Sequence, residues 1–201
     1  AEDIAILMRS PSKRWAAFAD ALRACGIQTS GSSEDFGETT EIKTMLSLLE
    51  IIDNPRQDIP LIAVLSSPLF GFSGNDLARI RICDRNAEFY DALVKYSAFN
   101  HEAADFLNML EKLRMHALEE NVEQLLYRCI RITSAMEIFG AMEGGLNRKR
   151  NITMLLEYAR RFENRKYKGL FGFNVWIRQL RERGEKLKGP SGVGSGVQIM
   201  S

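Results

Sequence analysis

Residues 39–55 read TTEIKTMLSLLEIIDNP, and their apolar side chains recur at the three- and four-residue spacing of a helix. A threonine at position 39 or 40 can cap this helix. The pair Asn54–Pro55 ends it, because the residue before a proline avoids helical backbone angles. The same spacing continues to about Arg183 without an alternating strand pattern. We therefore predict a mostly helical (mostly α) protein.

The N-terminal segment has a different pattern. The apolar run Ile4–Met8 stops at a polar pair and a proline, which is typical of a fully buried strand in a parallel sheet. A helix is predicted from Ser12 to a stop at Gly26, and residues 27–30 form a second short strand. Together with the helix that follows, this is a small α/β arrangement.

The C-terminal segment contains a linker and a strand. Residues 189–196 read GPSGVGSG, a flexible composition, and residues 197–201 read VQIMS, a strand-like run. A lone strand needs a sheet to join, and the candidate strands lie near the N-terminus. We expect the two ends to meet, with the helical part inserted between them, and the chain to be a piece of a longer protein.

The composition excludes several classes of protein. The 201 residues are 45% hydrophobic and 26% charged, which indicates one large globular domain, or one domain with part of another, and excludes collagen-like and wholly disordered chains. We see no apolar membrane span and no signal peptide, so a cytoplasmic protein is expected. Three distant cysteines and two histidines argue against a disulfide framework or a zinc site.

The charge is unevenly distributed. Residues 146–188 contain 13 Lys or Arg and 4 Glu, whereas residues 1–145 contain 14 basic and 22 acidic side chains. A concentrated positive segment indicates a surface that faces a polyanion such as nucleic acid. The alternative is a solvated helix face.

The motifs of ATP hydrolysis and metal-dependent nuclease chemistry are missing. The sequence has no G-x-x-x-x-G-K-[ST] loop, and the Gly-rich residues 189–196 precede a strand instead of a helix. The acidic residues occur singly on predicted helix faces. Cys129 could act with His101 or His116 only if the fold brought them together. We predict no catalytic residue, cofactor site or metal site in this chain.

The turn before a predicted helix is the first candidate contact with a DNA backbone. Ser73 and Asp76 form a capping box, and the glycines nearby would let a phosphate approach the free N–H groups at the positive helix end. The candidate residues are Gly71, Phe72, Ser73 and Gly74. The alternative is an ordinary turn with Phe70 and Phe72 in the core, and the Asp76 carboxylate would oppose a phosphate.

Two further groups of residues are candidates for DNA binding. Arg148, Lys149 and Arg150 are adjacent cations on a predicted turn into a helix, where each phosphate contact would add to the salt dependence of binding. Arg9 and Ser10 follow the first predicted strand, at the edge where parallel sheets place ligands. A solvated helix start and a structural arginine are the respective alternatives.

Several segments carry a resemblance to a known family. They are residues 3–10, 36–43, 52–61, 64–72, 140–151, 169–173 and 197–201. In this order they are similar to segments of the UvrD-like superfamily 1 helicases, and most closely to AddA (also called RexA), a component of bacterial ATP-dependent helicase-nucleases. The chain stops where that family would continue with a His-x-Ser/Ala-Lys-Gly-Leu-Glu segment.

The resemblance implies a domain organisation. Residues 1–53, with 193–201 as a returning strand, would be part of a RecA-like (P-loop NTPase-type) 2A domain, and residues 54–192 a helical 2B insertion. The turn at residues 71–74 would be a hairpin that touches duplex DNA, and the edge at Arg9 would face the single-strand channel.

The resemblance also implies a function. The chain would be a DNA-engaging accessory region in a parent enzyme that uses ATP and Mg²⁺ and processes double-strand breaks for recombinational repair. Its partners would be the backbone of duplex and single-stranded DNA and the second (B-type) component of the helicase-nuclease complex, without a membrane. The alternative is a helical interaction module that contacts a partner protein of the complex or another domain and never touches DNA.

Overall fold

A computed structural model of the chain describes residues 4–7, 18, 21–22, 24–27, 29–30, 36–163, 169–184, 187 and 197–200. Its contacts divide the chain into two compact units, Ala1–Glu38 with Glu185–Ser201, and Thr39–Gly184. The predicted domain boundary lies later, after residue 53, and remains a prediction. Each unit is described separately below.

The first unit contains a small parallel sheet. Its strands are β1 (Ala5–Leu7), β2 (Thr29–Ser30) and β3 (Val197–Met200), in the order β1-β3-β2. Ala5 lies opposite Gln198, and Thr29 lies opposite Val197. The C-terminal strand therefore lies between two strands from the N-terminal segment. A short 3-10 helix follows at Phe36–Glu38.

Strand β1 is less buried than predicted. Leu7 is 74% exposed and Ile4, which precedes the strand, is 55% exposed. The prediction of a fully buried strand is wrong, because β1 is an edge strand that pairs with β3 on one side. Met8 and most of the predicted helix between Ser12 and Gly26 lie outside the described residues.

The second unit is helical, as predicted for most of the chain. Its described part contains nine α-helices: α1 (Thr40–Asp53), α2 (Asp58–Leu65), α3 (Gly74–Cys83), α4 (Phe89–Ser97), α5 (His101–Ala117), α6 (Val122–Ile132), α7 (Ala135–Ala141), α8 (Gly145–Glu163) and α9 (Leu170–Glu182). None of the helices in the described ranges is long and apolar enough to cross a membrane.

Helix α1 is the core of this unit. Nine of its 14 residues are buried, on nearly every side, because α2, α5, α8 and α9 pack around it. Side chains from elsewhere bind carbonyl groups near its C-terminal end: Asn174 Nδ2 donates to Leu49 O, and an Arg114 guanidinium nitrogen donates to Ile52 O, both at 3.3 Å. These bonds satisfy backbone acceptors at a helix end.

The helix caps show both local and long-range solutions. The predicted capping box of Ser73 and Asp76 is confirmed at the start of α3. The sequence favours Asp58 as the cap of its own helix, but Gln57 is the N-cap residue of α2. The Asp58 carboxylate instead accepts hydrogen bonds from the backbone N–H of Phe89, the first residue of α4, and from Arg81 Nη2, both at 3.1 Å.

A tight glycine turn places the start of α8. The sequence predicts this helix from about residue 150, but it begins at Gly145, and the preceding α7 was not predicted. A Cβ atom on Gly145 would lie 1.9 Å from the carbonyl oxygen of Gly140, so the two backbones touch where side chains would separate them. Helix α7 is short and follows Ser134, which has a left-handed φ of 50°.

We expect Gly145→Ala to lower the free energy of unfolding by about 1–3 kcal/mol, because its methyl group would overlap backbone. Gly74→Ala is the matched control: a Cβ there meets no atom within 4 Å, so the change should stay within about 0.5 kcal/mol. Urea denaturation followed by circular dichroism measures both. Equal stability of the two variants would contradict the described turn.

Candidate nucleic-acid interface

The turn between α2 and α3 is built on backbone hydrogen bonds. The carbonyl oxygen of Ser67 accepts from the N–H groups of Phe70 (3.1 Å) and Gly71 (2.8 Å), and that of Leu65 accepts from Phe72 N–H (3.0 Å). Gly71 has a φ of 69°, a left-handed conformation that L side chains rarely adopt. The turn therefore depends on glycine at this position for its direction.

The two phenylalanines of this turn belong to the core. Phe72 is 6% exposed. The Phe70 ring makes an edge-to-face contact with Phe106, with 4.9 Å between ring centroids. These side chains hold the turn against the helices and are not available to stack on bases. From Phe72, only the backbone could contribute to an interface.

The start of α3 combines open N–H groups with a carboxylate. Ser73 and Gly74 are exposed, and the N–H groups of Gly74 and Asn75 have no acceptor among the described residues. Asp76 accepts from the Ser73 backbone N–H (3.0 Å) and from Ser73 Oγ (2.6 Å). These hydrogen bonds lower the pKa of the Asp76 carboxyl, so it is charged near neutral pH and opposes an incoming anion.

Arg148 is bound inside the helical unit. Its Nη1 atom lies 2.5 Å from Oε2 of Glu41, a residue of α1 that is 1% exposed. Asn151 Nδ2 donates to Oε1 of the same carboxylate at 2.7 Å. Arg148 Nε donates to the carbonyl oxygen of Glu143 at 3.0 Å. The guanidinium is therefore committed to internal contacts.

Lys149 and Arg150 differ from their neighbour. Both are exposed on α8, and neither has a carboxylate partner in the part of the chain that the structure describes. The stem of Lys149 lies over Gly140, where a Cβ would come within 2.1 Å of its Cε atom. The three adjacent cations are thus one structural residue and two outward charges.

The remaining sequence predictions have different outcomes. Arg9 and Ser10 lie outside the described residues. Cys129 is buried, and desolvation raises the pKa of its thiol to about 12, which disfavours the nucleophilic thiolate. His116 lies 3.4 Å from Glu120, which also pairs with Arg128. Among the described residues, no group of three or more His, Cys, Asp or Glu side chains could hold a metal ion.

The helical insertion with a small parallel sheet can be compared with known families. Residues 1–188 match the family described as UvrD-like helicase C-terminal domain. The chain belongs to this family. The resemblance seen in the sequence is thereby confirmed.

Full-length relatives of this UvrD-like chain are named as the A component of an ATP-dependent helicase/nuclease. The protein of Oceanobacillus iheyensis is 39% identical over 195 residues, which is 92% of this chain and 16% of the relative. That of Acetivibrio thermocellus is 40% identical over 186 residues, 89% and 15% respectively. That of Geobacillus kaustophilus is 39% identical over 196 residues, 92% and 16%. The chain thus spans about one sixth of the relatives it matches.

Sequence reasoning missed Glu41 and Asn151 as partners of Arg148. The available signal was a glutamate in the first turn of a helix that is otherwise apolar on nearly all sides. Such a position places a carboxylate in the core, where it requires a cation or several donors. The sequence could indicate that need, but not which of 27 Lys or Arg residues meets it.

We expect Arg148→Met to lower the free energy of unfolding by about 3 kcal/mol, because it leaves the buried Glu41 carboxylate without its cation. Arg150→Met makes the same chemical change two residues away, at an exposed position, and should stay within about 0.5 kcal/mol. Urea denaturation of both variants is the measurement. Equal losses would show that the Glu41 pair does not stabilise the fold.

Proposed function

We propose that this chain is a DNA-engaging accessory region that binds the sugar-phosphate backbone without reading sequence. The single observation that carries the proposal is the exposed pair Lys149–Arg150 at the start of α8, which the fold leaves without carboxylate partners among the described residues. Phosphate contacts from such cations position a protein on DNA but carry no sequence information.

The contrast with other cations supports this proposal. Many Lys and Arg side chains of the described helical unit lie in ion pairs: Arg56, Arg79, Arg81, Lys95, Arg114, Arg128 and Arg160. Such pairs reduce the net attraction to a polyanion. The outward charges at residues 149 and 150 keep theirs.

A second proposed contact is the backbone at the start of α3. Gly74 is not required by this fold, since a Cβ there meets nothing within 4 Å, and the open space lets a phosphate approach the free N–H groups. Gly71 and Ser73 shape this turn. Arg148 is excluded from the proposed contacts, because its guanidinium is bound to Glu41. Arg9 and Ser10 remain proposed contacts to single-stranded DNA.

The proposed parent is an ATP-dependent DNA helicase and exonuclease of the bacterial cytoplasm that acts in double-strand break processing and recombinational repair. The relatives' name supports this, and its designation of an A component implies a second, B-type partner protein. ATP and Mg²⁺ would bind elsewhere in the parent, since this sequence has no phosphate-binding loop. The chain alone would not hydrolyse ATP.

We also propose how the domains are divided. The three-stranded parallel sheet supports the assignment of residues 1–53 and 193–201 to a RecA-like 2A domain. Residues 54–192 would then be the 2B-type helical insertion. Family membership supports both assignments.

We expect the chain to bind a duplex with a single-stranded tail, with an affinity that falls as salt rises. The double variant Lys149→Gln/Arg150→Gln should reduce the slope of log affinity against log salt by about 1.8, or about 0.9 per lost phosphate contact. Fluorescence anisotropy at several salt concentrations measures this slope.

The matched control is Arg85→Gln/Lys112→Gln, which removes two exposed cations on other elements and gives the same net charge. It should leave the slope nearly unchanged. Equal loss in the two double variants would show that only net charge matters. Absence of salt-dependent binding in the unmodified chain would contradict the proposal and favour the alternative, an interaction module for a partner protein of the complex or another domain.

A further inference from the structure

Glu41 is a buried carboxylate that the proposed DNA contacts do not use directly. It lies in the first turn of α1 and is 1% exposed. Its two oxygens have separate donors from α8, Arg148 at 2.5 Å and Asn151 at 2.7 Å. An ionised carboxylate leaves water only when charge and hydrogen bonds replace its hydration. The start of α8 is therefore bound to the start of α1.

The same arginine also holds the turn that precedes α8. Arg148 Nε donates to the carbonyl oxygen of Glu143, in the segment that joins α7 to α8. One guanidinium thus contacts α1 and the connecting turn while its own backbone belongs to α8. The first two turns of α8 are fixed in direction by Arg148 and Asn151.

Helix geometry connects this pair to the exposed cations. Residues 148 and 151 are three positions apart and face Glu41 together. At 3.6 residues per turn, residues 149 and 150 each point about 130° away from the middle of that inward face. Holding Arg148 and Asn151 inward therefore directs Lys149 and Arg150 to the outside.

We propose that Glu41 and Arg148 are positioning residues for DNA binding: their buried ion pair sets the direction in which Lys149 and Arg150 present their charges. The inference rests on the proposed function of those two cations. It assigns an acidic, buried residue a role in binding a polyanion.

The sign of one substitution separates positioning from plain electrostatics. Glu41→Gln removes a negative charge, and charge alone would strengthen binding to DNA. If Glu41 orients the start of α8, the same change weakens binding. Because Glu41→Gln leaves Arg148 without its carboxylate, we choose a second variant that keeps the net charge and removes both partners, Glu41→Gln/Arg148→Gln.

The experiment measures the dissociation constant of the tailed duplex by anisotropy, well below each variant's unfolding temperature. We expect Glu41→Gln/Arg148→Gln to bind about threefold to thirtyfold more weakly than the unmodified chain at equal net charge. A merely structural role would lower the unfolding temperature and leave the affinity of the folded protein unchanged. Should the double variant not fold, Asn151→Ala removes one donor from Glu41 and is tested in the same way, with a smaller loss expected.

A double-mutant cycle completes the test. In the Lys149→Gln/Arg150→Gln background, the Glu41/Arg148 change should cause no further loss of affinity, because the charges it positions are already gone. Unchanged affinity of the Glu41/Arg148 variant, while Lys149→Gln/Arg150→Gln weakens binding, would overturn this inference and leave the proposed function standing. No binding by the unmodified chain, or no effect of Lys149→Gln/Arg150→Gln, would overturn both.

Discussion

Burial of α1 is the constraint on which the helical unit depends. This helix is enclosed by α2, α5, α8 and α9, so nearly every side chain and several of its carbonyl groups must find partners inside the protein. The apolar residues do so by packing, which supplies most of the stability. The polar groups do so through Asn174, Arg114 and the Arg148–Asn151 pair. The surrounding helices are thereby attached to α1 at defined points.

The attachment at Glu41 has a consequence for the surface. It takes one cation from a run of three and leaves the other two facing outward, so the structural and the proposed functional roles lie on opposite sides of a single helical turn. A similar division occurs at the turn before α3. There the rings of Phe70 and Phe72 lie in the core, and the backbone N–H groups at Gly74 and Asn75 face solvent. In both places apolar or paired groups fix a geometry that neighbouring polar groups display.

The local features could be predicted from the sequence. The bounds of α1 follow from apolar spacing and Asn54–Pro55, and the cap at Ser73 follows from two residues three positions apart. Long-range partners could not. Glu41 and Arg148 are 107 positions apart, and Asp58 caps a helix 31 positions away. The early start of α8 was missed because the backbone contact between Gly140 and Gly145 leaves no apolar pattern.

Native-state hydrogen exchange tests most directly whether α1 is the core that holds this unit together. The account predicts that the amides of residues 45–51 exchange only through global unfolding, with an opening free energy equal to that from urea denaturation. Amides near the exposed helix ends should exchange through smaller openings. If α1 exchanged as fast as the peripheral helices while the protein stayed folded, its central role, and the anchoring of α8 to it, would be contradicted.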